Sequence, residues 1–122
     1  MRRILSTTVF VVALLLCNFP IVTIQAQELA PQHKFVQLHV ENLKTLVESR
    51  SIDSTIRSKQ GVLASRTDHR SKILFCVFDL NSSITEASFN NWLHNMGFGI
   101  DCYREGVHGV DKILAREEFV CK

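Results

Sequence analysis

Residues 42–62 of the chain read NLKTLVESRSIDSTIRSKQGV, and this stretch decides the fold. It follows residues 35–40, FVQLHV, whose alternating apolar side chains indicate a half-buried strand. Ile52 and Ile56 then share one face of a helix, and Gly61 is suited to end it. The stretch therefore predicts a turn and a helix that directly follow a strand.

The rest of the chain also alternates between predicted strands and a predicted helix. Three further strands are predicted at residues 62–67, 72–79 and 98–103. Apolar residues at helical spacing predict a second helix before the last strand; they are Phe89, Trp92, Leu93 and Met96. Ser83 or Thr85 can cap this helix, and Gly97 can end it. The order β-α-β-β-α-β predicts an α+β, ferredoxin-like two-layer sandwich whose antiparallel sheet has the strand order 4-1-3-2.

Two sets of residues, taken with their spacing, carry a resemblance to a known family. The first set is Asn42, Leu43, Lys44, Thr45, Glu48, Ile52, Ile56, Gly61 and Val62. The second set is Phe78, Asp79, Ile84, Thr85, Phe89, Leu93, Gly97 and Phe98. The first stands in register with G-M-T-C-x-x-C-x-x-x-I-x-x-x-I/L-x-x-x-x-G-V. Residues 34–103 thus resemble a heavy-metal-associated domain, the module of copper chaperones and metal-pumping ATPases, and the resemblance implies the ferredoxin-like fold.

The family holds a soft metal with the two cysteines of its motif, and here Thr45 and Glu48 stand at those positions. Threonine is a poor metal ligand and a carboxylate is a hard one, so neither would retain Cu(I). A Thr-x-x-Glu pair is instead the sequence of a capping box at a helix start. We therefore predict a degenerate motif that binds no metal and no other cofactor, with the family's ligands transferred to no residue.

The first residues have the pattern of a secretory signal peptide. Arg2 and Arg3 precede an apolar run at residues 9–24, and residues 25–27 offer a small-residue cleavage site. The predicted organisation is a signal peptide at 1–26, a flexible leader at 27–33, the ferredoxin-like domain at 34–105 and a tail at 106–122. We expect a periplasmic or secreted protein with no stable membrane span after cleavage. A retained membrane anchor is the alternative, although Pro20 interrupts the run.

Charge and motif content exclude several classes of function. Loss of Arg2 and Arg3 with the signal peptide leaves twelve basic and twelve acidic residues, so the mature chain is formally neutral. A neutral chain lacks the electrostatic footprint of a nucleic-acid-binding protein. No Ser/His/Asp order, phosphate loop or pair of carboxylates stands out. We expect no nucleic-acid partner, no catalytic residue and no enzymatic activity.

The cysteines that follow the signal peptide are Cys76, Cys102 and Cys121, and an oxidising compartment favours a disulfide. In the predicted sheet the first strand separates Cys76 from Cys102, which are then too far apart to be bridged. We predict a Cys102–Cys121 disulfide, with Cys76 reduced and buried. The alternative is a Cu or Zn site in which both cysteines of that pair are joined by His94 or His108.

The predicted sheet has helices on one face only, so its other face is open. The apolar residues expected there, as an interaction surface, are Phe35, Ile73, Phe75 and Val77. An apolar patch of this kind is rarely left bare. One possible cover is the tail, where apolar residues at helical steps are followed by two more; they are Val110, Ile113, Leu114, Phe119 and Val120. The other is a second chain, as a protein partner or a homodimer.

These observations favour a small exported binding or interaction domain in which a capping box replaces the thiolate site of the family it resembles. The alternative is an extracytoplasmic transition-metal-binding protein, transport-related or chaperone-like, that uses nonstandard cysteine and histidine ligands. An enzyme would need polar groups that converge in a cleft, and a small two-layer domain offers little room for one.

Overall fold

Strands and helices follow one another in the computed structural model in the order that the sequence predicts. The structure describes residues 32–121, so the predicted signal peptide and most of the predicted leader lie outside the described residues. The elements are β1 (His33–Glu41), α1 (Leu46–Arg57), β2 (Val62–Asp68), β3 (Ile73–Asp79), α2 (Glu86–Asn95) and β4 (Gly99–Val107).

The four strands form one antiparallel sheet in the order β2-β3-β1-β4. This is the predicted order 4-1-3-2 read from the opposite edge, so the ferredoxin-like α+β fold is confirmed. β1 lies inside the sheet and pairs with β3 on one side and with β4 on the other. Its side chains therefore alternate between a helix-covered face and the open face.

The core lies between the helix-covered face of the sheet and the inner faces of both helices. Its buried apolar residues are Val36, Leu38, Val40, Leu43, Ile52, Ile56, Leu74, Cys76, Phe78, Phe89 and Leu93. Cys76 is a free thiol in this core, as its strand position predicts. Burial, and then the charge of Asp53, raise the pKa of the Cys76 thiol to about 12, so it stays protonated and unreactive at neutral pH.

Both helices are followed by a glycine in a conformation that side chains disfavour. Gly61 follows α1 with φ 89°, and Gly97 follows α2 with φ 90°. At Gly97 this backbone lets the N–H groups of Gly97 and Phe98 bond to the carbonyls of His94 and Leu93 in the last turn of α2. Gly61 instead lies in the turn that leads from α1 into β2. Of the two residues expected to cap α2, the structure selects Thr85, whose backbone N–H donates to Ser88 Oγ at 3.1 Å.

β4 is longer than the predicted strand at residues 98–103. It continues to Val107 because β1 begins at His33, so Val107 still finds an opposite partner in Lys34. Gly106 and Val107 consequently belong to the sheet rather than to the predicted tail at residues 106–122. The tail therefore comprises residues 108–121.

β4 is also irregular near its middle. Gln37 lies opposite Arg104 and His39 lies opposite Asp101, so β4 has one residue more than β1 between these pairs. The irregularity is a β-bulge, and Cys102 within it has φ 55°. A bulge shifts the alternation of side chains between the two faces of the strand.

Candidate functional site

Two places have functional interest: the start of α1, where the family motif falls, and the open face of the sheet. At the start of α1, Thr45 is the N-cap residue, with extended backbone at φ −125° and ψ 157°. Its Oγ1 accepts from the backbone N–H of Glu48 at 3.2 Å. Glu48 Oε1 accepts in return from the backbone N–H of Thr45 at 3.0 Å. These are the two reciprocal hydrogen bonds of a capping box.

One carboxylate oxygen of Glu48 has further donors. Glu48 Oε1 also accepts from the backbone N–H of Lys44 at 3.1 Å and from the hydroxyl of Thr45 at 3.1 Å. The Lys44 N–H, then the Thr45 hydroxyl and N–H, lower the pKa of the Glu48 carboxyl. The group is therefore an anion held by helix-start donors, and the arrangement contains oxygen and nitrogen atoms where a soft metal would need thiolates.

The first turn of α1 also presents apolar surface. Leu46 is 45% exposed and Val47 is 76% exposed, although both are large aliphatic residues. First turns of helices gain stability from acidic residues near the positive end of the helix dipole, and an aliphatic side chain contributes nothing to that effect. Leu46 and Val47 therefore form an exposed apolar pair directly beside the capping box.

A buried carboxylate further along α1 escaped the sequence reasoning. Asp53 accepts from the hydroxyls of Ser65 and Thr67, at 3.0 and 2.7 Å, and from the backbone N–H of Thr67 at 3.0 Å. All three residues are buried. The bonds fasten α1 to the edge strand β2, so Asp53 has a structural role. In the sequence it reads as an ordinary polar position of an amphipathic helix.

The tail crosses the open face of the sheet and is held there by Gln37 and Arg104. Gln37 Nε2 donates to the carbonyl of Leu114 at 2.8 Å, and Gln37 Oε1 accepts from the N–H of Leu114 at 3.0 Å. Arg104 donates to Gln37 Oε1 at 2.9 Å and to the carbonyl of Lys112 at 2.6 Å. Sequence reasoning missed Gln37, because a polar residue on an open strand face looks solvent-exposed.

This path changes the predicted interaction surface. Phe35 is fully buried, with the Arg104 guanidinium 5.5 Å from its ring centre, while the three other predicted residues, Ile73, Phe75 and Val77, are half-buried. Phe75 stacks on Phe35 and lines, with Ile73 and Leu114, a cavity of about 180 Å³. Of the two predicted covers, the structure shows the tail. No helix forms within it, and Val110, Ile113 and Val120 point outward.

The predicted disulfide is confirmed: Cys102 and Cys121 are bonded, with their Cα atoms 5.4 Å apart. It ties the end of the tail to the bulge of β4. The histidines of the alternative metal site are elsewhere, since exposed His94 lies in the last turn of α2 and exposed His108 directly follows β4.

The structure instead brings His39 to this place. A ring nitrogen of His39, a carboxylate oxygen of Asp101 and the sulfur of Cys121 lie within 4.8 Å of one another. Within residues 32–121 this is the one group of three such side chains with the proximity that a metal ion requires. No local pattern in the sequence points to this group, because its members come from β1, β4 and the tail.

Four antiparallel strands in this order, with two helices on one face, define a ferredoxin-like α+β domain. Within residues 32–121 no helix combines the length and the apolar character needed to cross a membrane.

Comparison with known proteins agrees with that fold. No protein-family model matches the chain, and no curated protein matches it either. Solved structures do match. A CopZ metallochaperone is 14% identical with a TM-score of 0.50, over 54% of this chain and 97% of that one. A copper binding domain from HMA7, a P-type ATPase, is 19% identical with a TM-score of 0.51, over 56% and 90%.

A third similar structure is the water-soluble region of the P-type ATPase CopA from Bacillus subtilis. It is 11% identical with a TM-score of 0.53, and the match covers 59% of this chain and 47% of that one. Together these structures confirm, for the fold, the resemblance to heavy-metal-associated domains that the residues predicted.

Proposed function

We propose that this chain is a small, exported, non-enzymatic interaction domain that binds a protein partner through the start of α1. The observation that carries the proposal is the Glu48 carboxylate, which closes the helix start with hydrogen bonds from Lys44 and Thr45. A carboxylate that accepts these hydrogen bonds stabilises the start of the helix, and the loop around it needs no metal ion to hold its conformation.

The residues at the motif positions favour the loss of a metal function at this loop. The similar structures are described as a metallochaperone and a copper binding domain. In this chain, Thr45 and Glu48 stand where the motif of such domains has its cysteines. Since thiolates are the ligands that select Cu(I), the fold is retained here without the groups that would hold copper at this position.

The apolar pair supports the choice of binding surface. Leu46 and Val47 are exposed, and the open face that could have served as an interface is occupied by the tail. A homodimer through the open face would have to displace the hydrogen bonds between Gln37 and Leu114. Burying two aliphatic side chains at about 25 cal/mol per Å² gives a partner a favourable contact that the isolated domain lacks.

The test is capture of partners by the tagged protein from the medium or envelope fraction of its host. The variant L46D/V47D should lose the captured partner, since the two charges would be buried in the interface. Aspartate in a first helical turn is compatible with the helix dipole, so folding should be preserved.

The matched control is L63D/V110D, which places the same charges at two exposed apolar residues outside α1. It should capture the partner as the unmodified protein does. Equal capture by L46D/V47D, or loss in the control alone, would contradict the proposed surface.

A further inference from the structure

The group of His39, Asp101 and Cys121 lies on the open face and shares no residue with the exposed pair Leu46 and Val47 that carries the proposed function. The ligand atoms of its three side chains are within 4.8 Å of one another. Around a tetrahedral zinc ion, with bonds of about 2.0–2.3 Å, ligand atoms lie about 3.5 Å apart. The separations of these atoms are therefore close to those that a single zinc ion requires.

The bulge in β4 explains why these side chains meet. Its extra residue puts Asp101 opposite His39, while Ile100 of the same strand packs against the core. Cys102, in left-handed backbone at φ 55°, holds its sulfur against Cys121 of the tail. Bulges occur frequently beside functional sites, where they re-aim a side chain. Here the bulge brings two neighbouring residues, Asp101 and Cys102, close to His39 and Cys121.

A buried polar atom at this place lacks a partner. His39 Nδ1 is buried, and no described residue forms a hydrogen bond with it. Nearly all buried polar atoms in folded proteins have such a partner, so an orphan of this kind calls for an explanation. A metal ion bound at Nδ1 would give this atom its partner and fix the tautomer of the ring.

The sulfur atoms decide when a metal can bind. In the disulfide neither sulfur carries charge, and the thiolate is the form of cysteine that binds metals. A dithiol reductant can transfer two electrons and two protons to the disulfide, which breaks the S–S bond, gives two thiols and leaves the reductant as its own disulfide. A zinc ion that binds both sulfurs then displaces their two protons.

We propose that reduction of Cys102–Cys121 opens a zinc(II) site formed by the two thiolates with His39 and Asp101. Two sulfurs, one imidazole nitrogen and one carboxylate oxygen are ligands that tetrahedral zinc accepts. The disulfide and the metal exclude each other, and either one joins the tail to β4. The site uses no residue of the α1 surface, so it goes beyond the proposed interaction function.

The test is titration of the purified protein with cobalt(II), a coloured substitute for zinc, followed by displacement with zinc(II). After reduction with a phosphine and removal of the reductant under anaerobic conditions, one equivalent of cobalt should give the charge-transfer absorption of cobalt–thiolate bonds. Zinc should abolish that absorption. The disulfide form should give none, and equal absorption from both forms would overturn the proposal.

Variants assign the ligands. C121S and H39N should each weaken binding by more than about 100-fold, since loss of even an outer-shell partner usually weakens metal binding 10–100-fold. The matched controls are C76A, which removes the buried free thiol, and H94N, which removes an exposed histidine. Both should bind as the unmodified protein does. Loss of binding in C76A or H94N, or its retention in C121S, would contradict the assignment.

A measurement on the unmodified reduced protein avoids any effect of the variants on folding. Zinc should protect Cys102 and Cys121 from alkylation in proportion to the metal added, up to one equivalent. Alkylation of both residues at the same rate with and without zinc would overturn the proposal, whereas failure of the partner capture by α1 would leave it untouched.

Discussion

The start of α1 and the cluster around His39 differ in how their polar groups are satisfied. At α1 the partners of Glu48 come from Lys44 and Thr45, at most four residues away. In the cluster, the groups come from β1, β4 and the tail, and one buried nitrogen has no partner among residues 32–121. Polar groups that satisfy one another need no ligand. The comparison therefore separates a helix start that is complete from a cluster that a ligand would complete.

The largest expected effect on stability concerns the disulfide, which joins the tail to β4 beside the His39 cluster. The double variant C102S/C121S removes a crosslink between residues 19 positions apart, and we expect the free energy of unfolding to fall by about 3 kcal/mol. Chemical denaturation of the two proteins measures the difference. A reductant should lower the stability of the unmodified protein and leave the variant unaffected; an unchanged free energy would show that the crosslink does not restrain the tail.

The second effect concerns the tail anchor. Q37A leaves the N–H and carbonyl of Leu114 without their partner and frees a donor of Arg104. Because unsatisfied buried groups cost about 1–3 kcal/mol, we expect a loss near 2 kcal/mol and faster proteolysis of the tail. The control Q60A alters an exposed glutamine and should change neither quantity. Slow proteolysis of Q37A would mean that other contacts hold the tail.

The third effect concerns the start of α1. T45A removes the side chain that accepts from the N–H of Glu48, and we expect a loss of about 1 kcal/mol in the free energy of unfolding. The control S51A changes an exposed position in the middle of α1 and should be neutral or slightly stabilising, because alanine favours helices. If T45A is as stable as the unmodified protein, the capping box does not hold this helix start.

The smallest expected effect is a pH dependence of the free energy of unfolding, caused by Glu48 at the start of α1. The helix-start donors lower the pKa of Glu48 in the folded state below the ordinary value of 4.5. A lowered folded-state pKa gives stability that is present above pH 4.5 and is lost as the pH falls through the folded-state pKa. The stability difference between the unmodified protein and E48Q should shrink over this acidic range.

The sequence predicted what depends on short spacings and on alternation. The pair Thr45 and Glu48 could be recognised because a capping box spans only one helical turn. The face of Cys76 followed from strand alternation, and the strand order then excluded it from the disulfide. These predictions combine short-range sequence patterns with one assumed strand order, and the structure confirms that strand order.

The sequence did not predict what depends on contacts between distant segments or on unusual backbone. The positive φ of Cys102 has no signal in the chain, because a glycine would be the expected residue at such a bulge. Gln37 meets Leu114 across 77 positions, and His39 appeared to be an isolated histidine. The apolar spacing of Val110 and Ile113 indicated helical steps, but the tail instead follows the sheet by hydrogen bonds.

The most direct test of the capped helix start is a Cu(I) titration in the C102S/C121S background, which removes the sulfurs of β4 and the tail and with them the proposed zinc site. In this background we predict no stoichiometric Cu(I) complex, and one equivalent of tightly bound Cu(I) once T45C and E48C restore the Cys-x-x-Cys spacing. A stoichiometric complex that forms without the new cysteines, and that E48A abolishes, would contradict the claim that hydrogen bonds have replaced the metal at this position.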